Sequence, residues 1–193
     1  MGALTGIIPI VRRKCPGVMD LMMLDALLDA YREFCIKSEY LLKSETITNA
    51  VAGTASTLPV DSNYVVLKVE SVSPTDSNDS LSVNDDYSLT DSGEKITFKR
   101  DYSSVTVNYI VTPSAIADPL LLDVSDALIN RYGDKIAAGA AAKLRAMPAQ
   151  LWTEFGLSEM FERDFIEACR EAFRDRRDSF NTFQNKTRKH RFY

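Results

Sequence analysis

The chain has 193 residues, 45% of them hydrophobic and 26% charged, which is enough apolar material for one good core and too little length for two independent ones. The composition excludes a chain that is unfolded throughout. The net charge of −4 is unevenly placed: from Arg174 to Tyr193 seven Lys or Arg stand against two Asp, or +5, so residues 1–173 carry −9.

At the start, the apolar run Gly6–Val11 is followed, not preceded, by Arg12, Arg13 and Lys14, the reverse of the order in a secretory signal. No run approaches the roughly 20 apolar residues that cross a bilayer. The chain is therefore expected to stay in the cytoplasm where it is made, with no membrane partner. Cys15 lies in a loop-like stretch before Pro16. Beyond it, Leu21, Leu24, Leu28, Tyr31 and Cys35 recur at three- and four-residue steps, with Asp25, Asp29, Arg32 and Glu33 mostly between them. That spacing predicts an amphipathic helix over residues 17–37, with Asp20 as its cap.

The period then changes. Val65, Leu67 and Val69 alternate with Val66, Lys68 and Glu70, and Val105, Val107, Tyr109 and Val111 alternate with Thr106, Asn108 and Ile110. Period two predicts strands, and residues 87–99 read as a hairpin turning at Asp91-Ser92-Gly93. Five or six short strands over residues 38–118 imply an antiparallel sheet, curled toward a barrel or a sandwich.

After Pro113 and Pro119 the helical period returns. Val124, Leu128, Tyr132, Ile136, Ala140 and Leu144 mark one face of a helix that Pro148 stops, and the small residues of its middle allow another backbone to come close. A turn carries Leu151, Trp152 and Phe155, with Trp152 expected to anchor the corner in the core. Leu157, Met160, Phe161, Phe165, Ala168, Cys169, Ala172 and Phe173 then predict a long final helix with a wide apolar face. The whole is an α+β fold: one N-terminal helix plus two C-terminal helices within residues 119–180 form a helical scaffold. The antiparallel β region is inserted between them, and residues 1–180 make a single domain.

Candidate chemistry is sparse. The single histidine, His190, sits in a polar end with nothing to hold it as a catalytic base must be held. The three cysteines, Cys15, Cys35 and Cys169, are too few and too scattered for a disulfide framework or a metal knuckle; Cys35 and Cys169 fall on apolar helix faces. A calcium loop opening at Asp76 would need Gly and Glu where Leu81 and Tyr87 stand, and Asp85-Asp86 reads as a solvated turn. No metal or cofactor is expected, and no enzymatic activity.

Residues 181–193 form a polar, basic arm with aromatic side chains, too poor in apolar surface to fold without a partner. A solvating tail needs no Phe180, Phe183, Phe192 or Tyr193, whereas aromatics with arginine are what interface anchors use. The candidate partner-binding set is therefore Arg174, Arg176, Arg177, Phe180, Phe183, Lys186, Arg188, Lys189, His190, Arg191, Phe192 and Tyr193. Nucleic-acid binding through phosphate neutralisation is the alternative for this segment, opposed by the acidic remainder of the chain.

Three stretches, in order, carry a family resemblance: CPGVMDLMMLDALLDAYREFC from Cys15 to Cys35, VNYIVTPSAIADPLLL from Val107, and AAGAAAKLRAMPAQLW from Ala137 to Trp152. Together they resemble the head-to-tail connector, or adaptor, proteins of tailed bacteriophages. The resemblance implies a structural virion protein at the neck, forming a ring commonly of about twelve subunits beneath the portal protein. Its helices would form the ring wall and its C-terminal arm, here from Arg174 onward, would reach the portal. The next neck or tail component would bind elsewhere, and DNA would pass the lumen without specific binding. Another neck or tail-completion ring protein is the alternative within the virion.

Overall fold

The computed structural model describes residues 2–75 and 79–178; they form an α+β protein with four α-helices and three small antiparallel sheets. The start holds structure that periodicity does not reveal. Strand β1 (Gly2–Ala3) leads through a 3-10 turn, Leu4–Ile7, into a short helix α1 (Ile8–Lys14). Seven residues are too few to display a helical period. Pro9 nevertheless suits the first turn, where no backbone donor is needed, and Leu4, Ile7 and Val11 are fully buried.

The helix expected over residues 17–37 is α2 (Asp20–Ser38), with two differences in detail. Met19 is the N-cap and no side chain caps the helix end; Asp20 instead pairs with Arg12 at 2.5 Å. Leu21, which the spacing puts on the core face, is 70% exposed, while Met23, Leu27, Ala30 and Phe34 are buried beside Tyr31 and Cys35. Apolar side chains occupy both of these neighbouring stripes, so packing, and not the period, chooses between them. The helix closes with Glu39 in the left-handed region at φ 51°.

Six strands follow: β2 (Leu42–Ala50), β3 (Ala55–Thr57), β4 (Tyr64–Pro74), β5 (Tyr87–Thr90), β6 (Lys95–Phe98) and β7 (Tyr102–Pro113). They make two three-stranded antiparallel sheets, ordered β2-β7-β4 and β3-β6-β5. The predicted hairpin is present, Thr90 pairing with Lys95 across the turn at Asp91–Gly93. Val66, Val72, Val107 and Val111 of one sheet share a core with Tyr87, Ile96 and Phe98 of the other, a sandwich-like arrangement. The acidic stretch beginning at Asp76 lies outside the described residues through Asn78.

Val124, placed by its spacing on a helix, belongs instead to β8 (Asp123–Val124), which pairs with β1 and fastens the chain start to the segment after β7. The helices expected within residues 119–180 are α3 (Asp126–Arg145) and α4 (Phe155–Arg177). Ser125 caps α3 by accepting from the Leu128 N–H. The two helices run antiparallel, since the Ser158 hydroxyl donates to the Ala142 carbonyl near one end and the Tyr132 hydroxyl donates to Asp175 near the other. Met160, expected on the apolar face of α4, is exposed, and Trp152 packs half-buried against the helical core.

All four helices contribute to one core, centred on the small residues Ala137–Ala142 of α3. At Gly139 the approach is closest: a Cβ there would stand 2.6 Å from the Phe165 ring. At Gly133 the same atom would meet nothing nearer than 3.4 Å. Alanine at Gly139 is therefore expected to destabilise the protein by about 1–3 kcal/mol through overpacking. Alanine at Gly133 is expected to stabilise it by roughly 0.5–1 kcal/mol through helix propensity. Urea-unfolding midpoints that moved in the same direction for both variants would contradict this account.

Candidate partner-binding surfaces

The C-terminal turn of α4 is where the described part of the predicted partner-binding set lies. Arg174 and Arg177 are exposed there. Arg176 is not free: its guanidinium donates to both carboxylate oxygens of Glu70 on β4, at 2.7 and 2.8 Å, and to Glu39 at 2.9 Å. Lys68 closes on Glu39 from the other side at 2.6 Å. Only 11% of the Arg176 side chain is exposed, so the contact joins the ends of α2 and α4 to the β region with little competition from water. Phe180, Phe183, Lys186, Arg188, Lys189, His190, Arg191, Phe192 and Tyr193 lie outside the described residues.

A second fastening stands on the preceding residue of the same turn. Asp175 accepts from the Tyr132 hydroxyl at 2.6 Å and pairs with Arg131. Burial is the first cause, and the Asp175 bond the second, of a Tyr132 phenol held well above its ordinary pKa. Farther along α4 the exposed strip alternates in sign, with Glu159, Arg163, Glu167, Arg170, Glu171 and Arg174 in sequence. A surface of that kind repels and attracts a phosphate backbone in equal measure.

Two apolar surfaces lie elsewhere among the described residues, and periodicity gives no sign of either. Leu151, fully exposed, and Phe155, 61% exposed, mark the corner between α3 and α4. Arg145 holds that end together by donating to the Lys14 carbonyl and pairing with Glu154. At the other end of α3, Leu41, Leu42, Tyr64, Val111 and Leu121 line a groove with Lys43, Asp61 and Asp123 at its edges. The Tyr64 hydroxyl donates to the Asp123 carbonyl across it.

All three cysteines are buried and unpaired. Burial pushes the Cys169 thiol up to about 11, against a smaller pull downward from Lys37, and it raises Cys15 and Cys35 as well. Among the described residues no group of three His, Cys, Asp or Glu side chains could hold a metal ion, and no helix is long and apolar enough to cross a membrane. No protein-family model matches the chain, and no curated protein matches it.

Replacing Arg176 with Ala leaves Glu39 and Glu70 facing each other without their shared cation. The expected cost is about 1–3 kcal/mol, below that of a fully buried pair because Glu70 keeps some solvent. Alanine at Arg174 or Arg177 is expected to stay within about 0.5 kcal/mol; equal urea midpoints for all three variants would refute the ranking. The thiols are expected to resist iodoacetamide in mildly alkaline buffer and to react together once the protein is unfolded. Mass spectrometry showing a labelled cysteine in the native chain would count against their burial.

Proposed function

We propose that the chain is a structural subunit of a tailed-bacteriophage particle, a head-to-tail connector that works in a ring between portal and tail. In this reading the helices are a bundle scaffold, the strands β2–β7 are its insertion, and residues 181–193 are an arm that docks on the portal. The observation that carries the reading is the anchoring of the last turn of α4. Arg176 and Asp175 fasten that turn to α2, α3 and β4, which gives the basic, aromatic segment beyond it a firm base.

Two further points support it. The three stretches that resemble connectors fall on α2, on β7 with the segment after it, and on the second half of α3 with the corner that follows, the parts that build the helical layer and lead into it. The acidic body suits a channel wall that must let DNA slide, because carboxylates do not grip phosphates. A segment that orders on docking covers much surface for its length, and ring symmetry multiplies modest contacts into firm attachment.

A chain ending at Asp178 is expected to keep its helical circular dichroism and its unfolding midpoint while losing attachment to purified portal rings, as seen by electron microscopy of the mixture. Portal binding by the truncated chain at the level of the full chain would overturn the arm. Attachment of the full chain to tail tube in place of portal would reassign it to another neck or tail-completion ring.

A further inference from the structure

The groove at the start of α3 is apolar and open. Leu121 is 70% and Leu42 48% exposed there, beside Leu41 and Tyr64, and exposed apolar clusters of this kind mark contact surfaces. Asp61 and Asp123 line it against Lys43 alone, and Lys43 already pairs with Asp61 at 2.9 Å. The exposed Asp123 carboxylate is left as the uncompensated charge. Residues 179–193 carry the matching chemistry: the aromatics Phe180, Phe183, Phe192 and Tyr193, the cations Lys186, Arg188, Lys189 and Arg191, and no Asp or Glu.

Two features of the fold bring the start of that segment to the groove. Helices α3 and α4 run antiparallel, with Tyr132 bonded to Asp175, so Asp178 stands alongside the first turn of α3. Ser125, the N-cap of that turn, lines the groove. From the other side, Arg176 donates to Glu39 at 2.9 Å, and Leu41 and Leu42, just beyond Glu39, are groove residues. The chain after Asp178 therefore begins roughly 10 Å, one helix diameter, from the rim. Extended chain covers about 3.3 Å per residue, so Phe180 and Phe183 reach the groove early and the cations after them reach its carboxylates. The exposed strip of α4, also within reach, alternates in sign and offers no such match.

We propose that residues 179–193 seat in this groove of their own chain, aromatic side chains against Leu42 and Leu121 and cations toward Asp123 and Asp61. A segment tethered beside its site meets it at high effective concentration, so modest contacts suffice. A contact that favours the seated arm only severalfold adds little to the stability of the whole fold, and it can release. On the connector reading, on which this consequence alone rests, the portal draws the arm out of its own groove.

The test uses the full chain in dilute solution, without portal. Cysteines replace Asn63, which lines the groove, and Gln184 in the arm, so no apolar or charged group is lost. The native cysteines are buried and do not compete. A short bis-maleimide is expected to link N63C to Q184C within one chain severalfold more than it links N130C to Q184C. Asn130 is exposed on the same end of α3 but is not part of the groove. Adding Leu121→Lys to the N63C/Q184C chain, which removes an exposed apolar contact and sets a cation against the arm, is expected to erase that excess. Equal yields at the two positions, an excess that survives Leu121→Lys, or links found only between two chains would each overturn the proposal. Portal attachment is read separately in the truncation experiment, so either idea can fail while the other stands.

Discussion

The close approach of α3 to α4 is the constraint on which the rest of the molecule depends. Where Gly139 faces the ring of Phe165 there is no room for a methyl group, so the helices meet at a distance set by backbone and aromatic ring. The alanines on either side of that point bury completely or nearly so and let α2 lie against the same pair. Tight packing of this kind tolerates little change in volume, which makes the helical layer a firm support.

That support positions the β region. Its two junctions are held at the ends of helices: Glu39, in the left-handed cap of α2, takes the Arg176 guanidinium, while β8 fastens the segment after β7 to the chain start. Strand β7 is central to its sheet, paired on both sides by β2 and β4, and the Arg176–Glu70 contact ties the edge strand β4 to α4. The salt bridges involved contribute modestly to stability. Their larger effect is geometric, because a planar guanidinium bound to two carboxylates fixes direction as well as distance.

The outward-facing groups fall in separate places on this frame. The end of α4 is anchored by side chains that face inward, leaving Arg174 and Arg177 outward, and the corner and groove place apolar area at both ends of α3.

The amino-acid sequence by itself determined the kinds of element and their order: period two between the helical segments, the turn at Asp91–Gly93, the stop at Pro148, and the small residues that permit helices to touch. Local periodicity and turn chemistry carry that information in neighbouring residues. It could not decide which of two adjacent apolar stripes of α2 faces inward, why Leu21 and Leu151 face solvent, that a seven-residue helix opens the chain, or that Arg176 serves Glu39 and Glu70. Those outcomes join residues as far as 137 positions apart, and no local pattern encodes which distant carboxylate or helix face a side chain will meet. Only the packed tertiary structure, where burial and charge pairing are settled together, decides them.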